Sequence, residues 1–182
     1  MDNGFTVSVN PASPHTGNYD ADLILVTGEE ALEREKIGEI SGKRSCVVLP
    51  GSSSEEAVDC RDVELIHEGE TIDIFGIEIE SVPRGKGTGY RFVMRDTSFY
   101  VADSIGSWDT PLEFENEVNF AFVPLGDPEN RDVGEAVRTV VGLKPDLAVP
   151  YQYNTGDTAP AERFRNEIEA RSIRCEIIEP ES

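Results

Sequence analysis

Histidine is nearly absent, with only His15 and His67 in 182 residues. Lysine is scarce too: Lys36, Lys43, Lys86 and Lys144 stand beside twelve arginines, and there is one tryptophan. The missing histidines exclude a site that draws on several imidazoles, the usual surrounding of a catalytic zinc ion. Sixteen scattered cations against 36 carboxylates exclude a nucleic-acid surface, which needs clustered positive charge, and disfavour an anionic membrane. No apolar run approaches the length of a membrane span, and the start of the chain, Met1 to Asn10, has no cationic stretch followed by an apolar one. Cys46, Cys60 and Cys175 are odd in number, far apart and without a Cys-x-x-Cys pair, so they read as thiols of a reducing compartment. A soluble cytoplasmic protein is expected.

What is abundant is negative charge. The formal net charge is -20, far outside the roughly 2–8 usual for small soluble domains. Such a chain would repel itself in dilute buffer. Molar salt shortens the Debye length to about 3 Å and quiets that repulsion, so the composition predicts the cytosol of a halophilic archaeon. The charge speaks of habitat more than of a ligand. With 38% hydrophobic residues the chain still has enough for one core, and a single domain over residues 1–182 is expected.

Strand signals are short, β-branched and bounded by Gly, Pro and Asp. They predict strands at Phe5–Val9, Asp22–Val26, Ser45–Leu49, Val63–Ile66, Thr71–Phe75, Ile77–Val82, Tyr90–Met94, Ser98–Ala102, Asn119–Val123, Leu147–Pro150 and Arg174–Ile178. Helical spacing predicts helices at Glu29–Ile40, Arg131–Val141 and Ala159–Ser172, the last with Thr158 as N-cap and Pro160 in the first turn. A β meander followed by alternating strands and helices implies layered α/β packing.

The order of several segments carries a resemblance. Tyr90-Arg91-Phe92-Val93, then Ser98-Phe99-Tyr100-Val101-Ala102-Asp103-Ser104, is similar to the hairpin of the metallo-β-lactamase superfamily that ends in Gly-Asp-Thr or Gly-Asp-Ser. Asn119 to Gly126 is similar to its strand ending in Leu-Pro-Ile-Gly. Lys144 to Thr155 resembles a segment written Pro-x-His-Tyr-Asn-Thr, and Ala21 to Thr27 resembles the strand before the signature Thr-His-x-His-x-Asp-His. From Asp20 onward the chain most resembles the branch of the L-ascorbate 6-phosphate lactonase-like hydrolases. The resemblance implies a four-layer αββα sandwich with its site where strand ends meet, normally around one or two metal ions that activate water. It also implies that the family's opening strands are trimmed from the N-terminus, which would leave a sheet edge for a partner.

The departures fall on the ligands. With Thr27 on the signature threonine, Gly28 and Glu30 stand where the first two histidines belong, Leu32 where the aspartate belongs and Glu33 where the last histidine belongs. The loop after Val82-Pro83-Arg84 is cut down to Gly85-Lys86-Gly87-Thr88, and Gln152 replaces the late histidine. The resemblance keeps only Asp103, the bridging carboxylate. Catalytic residues, metal ligands and cofactor are therefore all expected to be absent. The only candidate metal ligands are Glu30, Glu33 and Asp103, which with Gln152 and backbone carbonyls would suit Mg²⁺, Mn²⁺ or Ca²⁺ rather than zinc. Glu30 and Glu33 also read as plain N-terminal carboxylates favoured by a helix dipole.

Other residues carry less. His15 lies in a Pro- and Gly-containing loop before the strand of Asp22, and His67 reads as a turn residue. Gly85 to Gly89 lacks the spacing of a phosphate loop and reads as a short hairpin. Ser52-Ser53-Ser54 with Glu55-Glu56 reads as a helix start. Tyr151, Gln152, Tyr153, Asn154 and Asp103 are expected to line a residual pocket able to take a small molecule. The leading expectation is a catalytically degenerate protein with a binding, regulatory or assembly role, through a homo-oligomer, a protein partner or a small-molecule ligand. The alternative is a hydrolase of small phosphorylated or lactone substrates with a rebuilt carboxylate metal site.

Overall fold

The structure, a computed structural model, describes residues 5–10, 20–28, 37, 40–53, 62–84, 87–102, 117–125, 133–153 and 157–178. Eleven strands run β1 (Val7–Val9), β2 (Ala21–Leu25), β3 (Ser41–Pro50), β4 (Asp62–Ile66), β5 (Thr71–Ile74), β6 (Ile77–Arg84), β7 (Gly87–Met94), β8 (Thr97–Val101), β9 (Phe120–Pro124), β10 (Leu147–Tyr151) and β11 (Arg174–Cys175). Helix α1 (Val133–Leu143) follows β9 and α2 (Ala159–Glu169) follows β10. Sheet A has the order β1-β2-β3-β4 and is parallel throughout. Sheet B has the order β11-β10-β9-β8-β7-β6-β5, antiparallel from β5 to β8 and parallel from β8 to β11.

Alternation decides which face each strand buries. In sheet A, Leu23, Leu25, Cys46, Val48 and Ile66 face sheet B and meet Ile77, Ile79, Tyr90, Phe92 and Val101. The opposite face of sheet A buries Ile24, Val26, Val47 and Leu49 against Ile37 and Ile40, two helical residues of the expected Glu29–Ile40 segment, the rest of which lies outside the described residues. The outer face of sheet B is covered by the helices. Val133, Ala136, Val137 and Val140 of α1 recur at helical spacing and pack with Val123, Ala148, Phe164 and Ile168. The result is the αββα sandwich that the segment order implies. Among the described residues no helix is long and apolar enough to cross a membrane.

Three expectations need correction in detail. Thr158 occupies the position before α2, but its side chain makes no capping bond; the Asp157 carboxylate instead accepts from the Ala159 N–H at 3.2 Å. β3 begins four residues earlier than its apolar pattern suggests, because Ser41 still pairs with Ala21 across an irregular register. β11 is only two residues long instead of reaching Ile178, although the Glu176 N–H still reaches the Ala148 carbonyl at 3.0 Å. β6 and β7 pair as far as Arg84 and Gly87, while Gly85 and Lys86 of the expected short hairpin lie outside the described residues.

Two features of the packing give measurable consequences. The Gly51 N–H donates to the Ile66 carbonyl at 2.7 Å, and the His67 ring lies over Gly51, so a Cβ there would stand 2.2 Å from Nδ1. Gly51→Ala should lower stability to chemical denaturation by about 1 kcal/mol, and His67→Ala in the same chain should restore most of it. Burial, helped by Glu64 and Asp62, pushes the Cys46 thiol from 9.0 up to about 11. A thiol raised on folding stabilises fully below the unfolded value and loses that contribution as pH climbs through the folded one. Stability should therefore decline between pH 9 and 11, and less steeply in Cys46→Ala.

Candidate functional site

Parallel strands end on one side, and here the ends that follow β2, β8 and β10 are linked through β7, whose Tyr90 pairs with Val101. Two residues after β2 stands Thr27, which is fully buried. Its N–H donates to the Asn10 Oδ1 at 2.9 Å, the Asn10 Nδ2 donates to Thr27 Oγ1 at 2.7 Å, and the Asn10 N–H donates to the Leu25 carbonyl at 3.0 Å. Asn10 sits at φ 46°, a left-handed conformation that asparagine tolerates better than most residues. From sheet B, the Thr88 N–H donates to the Thr27 carbonyl at 3.0 Å and the buried Tyr90 hydroxyl donates to the Val26 carbonyl at 2.7 Å. The end of β2 is thus held from both sheets.

The second end is Ala102 after β8, buried, with its N–H on the Phe122 carbonyl at 3.3 Å. The third is Tyr151 on β10. Its hydroxyl donates to the Ala102 carbonyl, and its own carbonyl accepts from the Leu125 N–H at 2.9 Å. Gln152 follows at φ 54° with its side chain exposed. A glutamine in the left-handed region costs roughly 1–2 kcal/mol, and such outliers gather where a chain must present a group. Tyr153 is half-buried and its hydroxyl donates to the Ile178 carbonyl at 2.7 Å.

The site residues read from the sequence therefore divide. Gly28, directly after Thr27, is half-buried, and Tyr151, Gln152 and Tyr153 lie together at the end of β10. Glu30, Leu32, Glu33, Asp103, Asn154 and His15 lie outside the described residues. Glu30 and Glu33 follow the anchored Thr27 by three and six positions, and Asp103 follows Ala102 directly. His67 is exposed in the turn after β4, two strands away from β2, where its N–H donates to the Glu70 carboxylate at 2.9 Å. Among the described residues no three carboxylates, thiols or imidazoles come together. Asn10 escaped the sequence reading; an Asn-Pro step straight after a β-branched strand was the available signal.

Beside Gln152 opens a cavity of about 600 Å³. Val7 and Val9 of β1 form one wall, and Phe92, Phe99, Phe122 and Val149 of sheet B form the floor. The rings of Phe92 and Phe99 stack at 5.0 Å, and those of Phe99 and Phe120 at 5.4 Å.

No family model matches the chain. A UPF0173 metal-dependent hydrolase of Methanopyrus kandleri is 26% identical over 94% of this chain and 85% of its own length. One from Pyrococcus horikoshii is 30% identical over 75% of this chain and 68% of its own. Among solved structures, a candidate metal-dependent hydrolase from Parabacteroides distasonis superimposes with TM-score 0.74 at 22% identity, covering 96% of this chain and 85% of that one. The metallo-β-lactamase fold protein YhfI from Bacillus subtilis gives 0.60 at 9% identity, over 87% and 76%. Zinc-bound PqqB from Methylobacterium extorquens gives 0.57 at 10%, over 88% and 72%. These findings overturn the expectation that no cofactor is involved. The relatives are named for a metal, and a neighbour of the same fold holds one. The missing histidines remove one kind of donor, not every kind. With a 30% identical relative matched over two thirds of its length, the chain belongs to the UPF0173 metal-dependent hydrolases of metallo-β-lactamase fold.

Proposed function

We propose that this chain is a hydrolase of small phosphorylated or lactone substrates that works with a hard divalent cation held by oxygen ligands. The observation that carries the reading is a chain of contacts along one edge of the sandwich: Val26 and Thr27 are bonded to Tyr90 and Thr88, Tyr90 pairs with Val101, and Ala102, the next residue, accepts from Tyr151. The chain segments that leave those anchors begin with Gly28, Asp103 and Gln152.

The donor chemistry selects the cation. Two histidines in the whole chain, one of them in the turn after β4, do not fit an imidazole-rich zinc site. Glu30, Glu33, Asp103 and the Gln152 amide oxygen, with backbone carbonyls, fit Mg²⁺, Mn²⁺ or Ca²⁺. Such a cation supplies charge stabilisation at a phosphoryl or acyl oxygen. The Gln152 amide nitrogen can at the same time donate to a substrate oxygen. The Tyr151 hydroxyl is spent on the Ala102 carbonyl, so it positions the two strand ends instead of moving a proton.

Elemental analysis after dialysis against Mn²⁺ in molar KCl should find about one metal per chain, and Asp103→Ala should weaken its retention at least tenfold. Metal-dependent turnover should appear within a panel of lactones and phosphomonoesters and be lost in the same variant. A folded protein with neither metal nor turnover would return the chain to a binding, regulatory or assembly role. The net charge of -20 supports a high-salt habitat for the chain. The midpoint of thermal unfolding should therefore rise steadily as KCl is raised toward molar concentration, as expected when screening relieves carboxylate repulsion.

A further inference from the structure

The cavity beside Gln152 is larger than a packing defect and unlike a polar catalytic cleft. At about 600 Å³ it falls among ligand sites, which range from roughly 300 to 1,000 Å³. It follows β8 from Phe99 to Val101 and passes Phe122 and Val149 toward Gln152, which among the described residues is the exposed polar side chain at that end. Phe99 and Phe122 are only half-buried, although they belong to the sheet face whose neighbours Phe92 and Val101 are packed in the core. Sheet A has four strands against seven in sheet B. It covers the face of β6 to β8, and β1 forms the wall where that cover stops. Leaving such a surface in water is costly, at about 25 cal/mol for each Å².

We propose that this groove binds the apolar chain of a neutral, linear ligand whose carbonyl or hydroxyl head lies at Gln152. Three observations select that occupant. The lining is made of aliphatic side chains and phenyl rings, with the Tyr151 hydroxyl already bonded to Ala102 and the Tyr153 hydroxyl to Ile178, so the body of the ligand meets no free polar group from either tyrosine. The described lining carries no charged side chain, so an ionised head would lose water beside apolar walls with no counter-charge, which leaves a neutral ligand as the occupant. The Gln152 amide, uncharged and presented by a left-handed backbone, matches a carbonyl or hydroxyl. Where the hydrolase reading holds, on which this placement of the head depends, the substrate is then a lactone or ester that carries an apolar chain.

The probe is decan-1-ol, titrated into the full chain in molar KCl and followed by calorimetry. Saturable binding of one molecule per chain is expected. Val9→Trp, which fills the groove from β1, should weaken it at least tenfold, and Ile178→Asp, at a position 58% exposed and therefore tolerant, should weaken it several-fold. Decanoate should bind less tightly than decan-1-ol, with the gap widening as salt is lowered. Absence of binding, binding that never saturates, or equal affinity in both variants would overturn the proposal. So would a concentration-dependent dimer that shields the groove. Mn²⁺ content measured on the same samples separates the two readings. Metal retained without alcohol binding removes the groove alone, whereas alcohol bound without metal keeps the groove and removes the hydrolase.

Discussion

Two sheets pressed face to face give this chain its site, and the contact that most directly ties them at the working edge is the Tyr90 hydroxyl on the Val26 carbonyl. Tyr90 is fully buried in sheet B and Val26 fully buried at the end of β2, so the bond forms in a place where water cannot replace it. An unmet carbonyl there would cost about 1–3 kcal/mol. Together with the Thr88 N–H on Thr27, it sets where the chain leaves sheet A relative to where it enters β7.

The two edges of sheet B are built differently. At the starts of β8, β9 and β10, Ser98, Asn119 and Asp146 form a closed polar network: the Ser98 N–H donates to the Asn119 Oδ1 at 2.9 Å, the Asn119 N–H to the Ser98 Oγ at 3.0 Å, and the Asn119 Nδ2 to the Asp146 carboxylate at 2.7 Å. That edge locks the strands in register. At the opposite edge the polar groups of Tyr151 and Tyr153 close on backbone carbonyls, while Gln152 faces outward between them. The first edge is closed by side-chain bonds, and the second, where the proposed site lies, is the carboxyl end at which ligands sit in open α/β sheets.

Much of this was legible in the sequence because the strands alternate cleanly. Ile72 and Ile74, then Ile77 and Ile79, announce a hairpin, and Phe75-Gly76 turns it with both residues at positive φ. Each of the eleven strands among the described residues overlaps an expected one. The first residues of β3 and β7 were hidden because Ser, Gly, Lys and Thr carry no periodic signal there. The expectation of no cofactor failed for a compositional reason: in a chain this acidic, Glu30 and Glu33 read as plain helix-start carboxylates, so oxygen donors that suit a hard cation do not stand out. The apolar groove was illegible for a geometric one. Phe99 and Phe122 read simply as core, and only the relative widths of the two sheets reveal that sheet A stops short of covering them.

The central claim is that the segments leaving β2, β8 and β10 form one oxygen-lined cation site despite the lost histidines. The most direct measurement is paramagnetic broadening of backbone amide signals by substoichiometric Mn²⁺, recorded in molar KCl so that diffuse binding to the acidic surface is screened. The expected result is selective loss of the signals of Thr27, Gly28, Ala102 and Gln152 together. Weak broadening spread over exposed carboxylates such as Asp62, Glu64 and Glu68, with those four signals intact, would contradict it.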